Sequence, residues 1–120
     1  MKKIKVGVIG SGGIARSAHL PNYRKIENVE IVAVADINLE TAKKASEEFA
    51  VPHSFANYEE LLGIDEIDAV SICTPNAFHA SASISALEAG KHVLCEKPMA
   101  VNAQEGQAMV EAAKHAGKIL

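Results

Sequence analysis

Four short apolar runs, Ile4 to Ile9, Val29 to Ala35, Ala69 to Cys73 and His92 to Cys95, carry hydrophobic residues on consecutive rather than alternating positions. A strand with one face in water alternates; a strand covered on both faces does not. Such coverage is the condition of a parallel sheet lying between helical layers. A shorter strand is expected at His53 to Phe55.

The segments between these runs space their apolar residues as helices do and carry end signals. Leu39, Ala42, Ala45 and Phe49 share one face, with Asn38 as N-cap. Asn57 and Glu60 have capping-box-like spacing before Leu61 and Leu62, with Gly63 closing a short helix. Ala80, Ile84 and Leu87 stripe a further helix, ended by Gly90; Asn102 and Glu105 open the last one, striped by Met109, Ala113 and Ala116 and ended by Gly117. Alternation of this kind predicts an α/β fold, a doubly wound parallel sheet with right-handed crossovers and helices on both faces. Lys118-Ile119-Leu120 reads as the start of a sixth strand, so residues 1–120 are expected to be one domain truncated near that strand.

Composition removes several classes of function. The formal charge is -3, and no run of adjacent basic residues exceeds a pair such as Lys2-Lys3 or Lys43-Lys44, so no nucleic-acid partner is expected. No stretch approaches the ~18 apolar residues of a membrane span, and Lys5 and the glycines break what would be the apolar core of a secretory signal. A cytoplasmic location is expected. Cys73 and Cys95 each end an apolar run and are read as reduced thiols rather than a disulfide or metal site; no metal is expected.

The first run leads directly into Gly10-Ser11-Gly12-Gly13-Ile14-Ala15, where Gly10, Gly12 and Ala15 fit G-x-G-x-x-G/A between a strand and a helix. Gly10 permits a tight turn, Gly12 lets the backbone approach a pyrophosphate, and Ala15 lets helix and strand pack closely. The free N–H groups of the helix's first turn, around Gly13 and Ile14, would face the phosphates. A dinucleotide is therefore expected on this turn. A P-loop around Gly90-Lys91 fails, because Ser85 and His92 stand where Gly and Ser or Thr are needed.

Asp36 ends the second run, 26 positions after Gly10, where about 20 is usual. The excess predicts a long first crossover through Arg16 to Ile26, with Pro21 kinking or dividing its helix. A carboxylate at this strand end can accept hydrogen bonds from ribose hydroxyls and would repel a 2′-phosphate, so NAD is expected over NADP. Asp36 can also serve as a helix-capping residue. Ile37-Asn38 supplies no arginine for a 2′-phosphate, although Lys43 lies one helical turn away.

Two further strings follow strands, at the sheet edge where open α/β folds bind ligands: Cys73-Thr74-Pro75-Asn76-Ala77-Phe78-His79 and Cys95-Glu96-Lys97-Pro98. On residues alone, Pro75-Asn76 is an ordinary helix start with Asn76 as cap, and Ser81, Ser83 and Ser85 are helix surface and packing. Taken with the glycine turn and Asp36, the two strings resemble the Gfo/Idh/MocA family of oxidoreductases over all 120 residues. The resemblance implies a Rossmann cofactor domain. It also implies that Thr74 and Asn76 contact the dinucleotide, that Pro75 fixes the turn, and that His79 approaches the cofactor from the helix start. Glu96 would touch the cofactor, and Lys97 would reach the nicotinamide and a substrate hydroxyl, assisting the oxygen as hydride leaves the same carbon.

The sequence departs from the family in length, since members normally continue into a second α/β domain that binds the substrate. A sugar, cyclitol or related polyol is implied as substrate only with that domain. These 120 residues are expected to bind the dinucleotide, to lack efficient dehydrogenase activity alone, and to expose apolar surface that favours homo-oligomers. A dinucleotide-sensing module without catalysis is the alternative reading.

Overall fold

The computed structural model describes residues 2–120. Five strands, β1 (Ile4–Ile9), β2 (Val29–Ala35), β3 (His53–Phe55), β4 (Ala69–Ile72) and β5 (His92–Cys95), form one parallel sheet in the order β3-β2-β1-β4-β5. The consecutive apolar runs are explained by what covers them. On one face, Val32, Ile72, Val70 and Val93 pack with Leu61, Ala82, Leu87 and Ala113; on the other, Val8, Ile31 and Val34 pack with Ala15, Leu20, Ala42 and Ala45.

The first crossover divides as its proline requires. A π-helical turn at Ala15–His19 runs into α1 (Leu20–Arg24), with the Leu20 N–H reaching back to the Ala15 carbonyl. Pro21 has no N–H and its ring crowds the preceding turn, so a wide turn before it relieves what a regular helix could not.

The end signals of α2 (Leu39–Phe49), α3 (Tyr58–Leu62) and α5 (Ala103–Ala116) act as their chemistry dictates. The side-chain oxygens of Asn38, Asn57 and Asn102 accept from the amides of Glu40 and Thr41, of Glu60, and of Glu105. Gly90 and Gly117 take left-handed conformations. Ala50 takes one too at the end of α2, without glycine's freedom to do so.

The start of α4 (His79–Glu88) corrects the expectation for Asn76. Pro75 is extended, Asn76–Phe78 forms a single 3₁₀ turn closed by Phe78 N to Pro75 O, and the helix follows it with no side-chain cap at Phe78. Of the expected stripe Ala80 and Leu87 are buried and Ile84 is only half-buried; because α4 lies between the sheet and α5, Ala82, Ser83 and Ala86 are buried as well.

Sheet register aligns the motif-bearing segments. Ile9 pairs with Ala35 and with Ile72, and Ile72 pairs with Cys95. The ladder continues one residue further, with Gly10 N on Ala35 O, Cys73 N on Ile9 O and Glu96 N on Ile72 O. Gly10, Asp36, Cys73 and Glu96 therefore stand side by side on the carboxyl rim of the sheet. At the opposite edge of β5, residues 118–120, expected to begin a strand, form none, although Val93 N donates to Ile119 O.

Candidate cofactor site

The glycine turn is fixed by space as well as conformation. Gly10 has φ +91°, and a Cβ there would lie 2.6 Å from the Cys73 carbonyl carbon and oxygen. No side chain fits between the ends of β1 and β4. A Cβ on Gly12 or Gly13 would meet nothing within 4 Å, so the space over the turn is open to a ligand. Ala15 is fully buried against the sheet, and Ile14 stands 44% exposed beside the turn.

Asp36 closes this end of the rim. Its Oδ2 accepts the Ser11 amide at 2.9 Å, and its Oδ1 accepts the Asn38 amide at 2.9 Å. Asp36 does not cap α2, whose N-cap is Asn38; it braces that residue's amide, and each carboxylate oxygen retains a second lone pair for a ligand. Ile37 beside it is 91% exposed.

At the other end, His79 joins the two remaining strings. It is 1% exposed, with Nδ1 2.6 Å from the Pro98 carbonyl oxygen and Nε2 2.9 Å from the Thr74 carbonyl oxygen. His79, expected to approach a cofactor, has its ring buried between the two segments with a main-chain carbonyl oxygen facing each nitrogen, of which a neutral imidazole donates to one. Asn76 is exposed beyond this junction. The Thr74 hydroxyl is buried with no hydrogen-bond partner among the described residues. Lys97 is exposed at the rim, its amide donates to Glu96 Oε1 at 3.1 Å, and the Lys97–Pro98 peptide is cis.

A side-chain chain beneath Glu96 had no counterpart in the motifs. His19 Nε2 lies 2.7 Å from Glu96 Oε2, His19 Nδ1 lies 2.9 Å from Ser71 Oγ, and Ser71 Oγ lies 2.5 Å from Tyr23 Oη. One pattern matches every donor to an acceptor: Tyr23 O–H to Ser71, Ser71 O–H to His19, and His19 Nε2–H to the carboxylate. The hydrogen bonds from His19 and from the Lys97 amide hold the Glu96 carboxyl below the usual glutamate range. The sequence signal was Ser71, a hydroxyl inside an otherwise apolar buried strand. Nearby, burial first and then the Glu96 charge push the Cys73 thiol up to about 12. Both cysteines are free, though Cys95 is only half-buried.

The described residues contain no cluster suited to a metal ion and no helix long and apolar enough to cross a membrane. Residues 4–120 match the family model described as "Oxidoreductase family, NAD-binding Rossmann fold".

The chain belongs to the Gfo/Idh/MocA family.

Among relatives in that family, the glucose-6-phosphate 3-dehydrogenase of Bacillus subtilis is 42% identical over 110 residues, covering 92% of this chain and 30% of the relative. The D-glucoside 3-dehydrogenase of Escherichia coli K12 is 35% identical over 117 residues, covering 98% and 33%. Among solved structures, KijD10, a 3-ketoreductase from Actinomadura kijaniata in complex with TDP-benzene and NADP, superposes with TM-score 0.93 at 34% identity, covering 99% of this chain and 37% of that one. The WlbA dehydrogenase of Bordetella pertussis, in complex with NADH and UDP-GlcNAcA, gives 0.91 at 30%, covering 98% and 36%. The chain spans about a third of the length of these Gfo/Idh/MocA relatives.

Proposed function

We propose that residues 1–120 are the cofactor domain of an oxidoreductase and hold a nicotinamide dinucleotide along the rim from Asp36 to Lys97. The observation that carries this reading is the alignment of Asp36, Gly10, Cys73 and Glu96 in adjacent positions of one sheet edge, with open space over Gly12 and Gly13. The amides around Gly12, Gly13 and Ile14 bind the pyrophosphate at a helix start. Asp36 accepts the adenosine ribose hydroxyls. The unpaired Thr74 hydroxyl offers a donor that a ligand oxygen would satisfy, and Pro75 and Asn76 shape the surface beside it. His79 holds the Thr74 and Pro98 segments together rather than touching the ligand.

We place the nicotinamide end at Glu96 and Lys97. The nicotinamide, when bound, supplies a hydride acceptor or donor. The exposed Lys97 orients the substrate hydroxyl and, as an ammonium, stabilises negative charge on its oxygen or, as a neutral amine, takes its proton, while Glu96 sets the loop. The substrate class is a secondary alcohol of a sugar, cyclitol or related polyol, as the names of several relatives indicate for those proteins. Its binding requires residues beyond the chain in hand, so the 120 residues alone bind cofactor without efficient turnover.

Relatives and structural neighbours divide between the two cofactors: KijD10 is described with NADP and WlbA with NADH. Preference for NAD over NADP rests on this chain's own Asp36, with the apolar Ile37 next to it in place of a cation. Calorimetric titration of the chain with NAD and NADP, repeated on Asp36→Ala, tests the assignment. NAD binds more tightly to the wild type and the ratio falls towards one in the variant; an unchanged ratio removes Asp36 from ribose recognition.

A further inference from the structure

Glu96 is held at both carboxylate oxygens by groups of different origin. Oε1 accepts the amide of its own neighbour, Lys97, at 3.1 Å; Oε2 takes His19 Nε2, 77 residues away in sequence, at 2.7 Å. His19 is in turn fixed from behind. Its Nδ1 meets Ser71 on β4, and Ser71 meets Tyr23 on α1. The imidazole is only 9% exposed, so the donor side of the hydrogen bond is sheltered from water, while the Glu96 side chain is 25% exposed at the rim. The π-helical turn that Pro21 favours ends at His19, placing the ring beside Ser71 and Glu96.

We propose that His19 is a positioning residue for the nicotinamide end of the site. By holding the Glu96 carboxylate, it fixes the main chain that carries Lys97, while Ser71 and Tyr23 set the orientation of its ring. Its ring bonds to Ser71 and Glu96 rather than to the glycine turn or Asp36, so its influence falls on one end of the ligand. The proposal rests on the cofactor reading above and adds a residue that the motifs of that reading do not contain.

The test separates the two ends of the ligand. Dissociation constants of NADH and of ADP-ribose, which lacks the nicotinamide, are measured by calorimetry on the wild-type chain and on His19→Ala, His19→Gln and Ser71→Ala, with circular dichroism confirming each fold. His19→Ala weakens NADH by about tenfold, the scale of one hydrogen bond to a charged group, and ADP-ribose by less than about twofold. His19→Gln, whose amide N–H can still reach Glu96, restores NADH binding to within about threefold of wild type. Ser71→Ala gives a smaller loss that is again confined to NADH; together with His19→Gln, it carries the test if the alanine variant at 19 does not fold. Equal weakening of both ligands, or no weakening of NADH, overturns the proposal. A wild-type chain that binds neither ligand overturns the cofactor reading itself, and with it this proposal, in an arm that contains no variant.

Discussion

The Ser11 amide donates to Asp36 Oδ2 at 2.9 Å, so the turn after β1 and the end of β2 are tied together before any ligand arrives. A residue expected to read the ribose also shapes the turn that receives the phosphates. Asp36→Ala should therefore lower the stability of the free chain by about 1 kcal/mol, reduced from the usual value of a charged hydrogen bond because Asp36 is half-buried. Urea unfolding of the ligand-free chain measures it. No loss would mean that the tie contributes nothing to the turn.

Gly10 and Gly12 occupy one motif for opposite reasons. Gly10→Ala forces a side chain into a left-handed backbone 2.6 Å from the Cys73 carbonyl and should cost about 3 kcal/mol or prevent folding. Gly12→Ala meets only open space, so its stability should change by less than about 0.5 kcal/mol while dinucleotide affinity falls by about tenfold. Thermal melts and calorimetry on the pair separate turn geometry from ligand approach.

Glu96 makes folding stability depend on acid in a defined direction. Its carboxyl titrates below the ordinary glutamate value of 4.5 because His19 and the Lys97 amide donate to it. The charged form is thus favoured by the fold: its contribution is fully present above the ordinary value and is lost as pH falls through the lowered folded value. The difference in Tm between wild type and Glu96→Gln should shrink as pH falls below about 4.5. A difference that grows on acidification would reverse the assignment.

The two thiols should differ in reactivity. Burial and the neighbouring Glu96 charge push Cys73 to about 12, whereas Cys95 is half-buried and raised less. Iodoacetamide at pH 8 should label Cys95 first, with Cys73 at least about tenfold slower, because the thiolate is the reacting species. Mass spectrometry of timed digests gives the order. Faster labelling of Cys73 would contradict its burial.

Sequence disclosed most clearly what local chemistry determines. Strand positions followed from unbroken apolar runs, three helix starts from Asn38, Asn57 and Asn102, and the division of the first crossover from Pro21. Its errors came where tertiary packing intervened. The segment after β4 begins with a 3₁₀ turn, so Asn76 does not cap α4, and an α4 packed against both α5 and the sheet buries Ala82 and Ser83 in addition to Ala80 and Leu87 of the expected stripe. The site divided in the same manner. Gly10, Asp36 and Glu96 were legible as motif residues because each lies within a few residues of a strand end. The contact of His19 with Glu96 was not, since it spans 77 residues and depends on a π-helical turn and a single buried serine. Ala50 gave no glycine-like signal for its left-handed conformation.

The most direct test of the binding rim is a two-dimensional amide NMR spectrum of the chain recorded during titration with NAD. Shifts should concentrate at Ser11, Gly12, Gly13, Ile37, Asn76 and Lys97, the positions along the carboxyl edge of the sheet. Ile4, Val29 and His92, at the opposite edge, should remain still. Saturating shifts centred on that opposite edge, or none at millimolar NAD, would contradict a dinucleotide lying between Asp36 and Lys97.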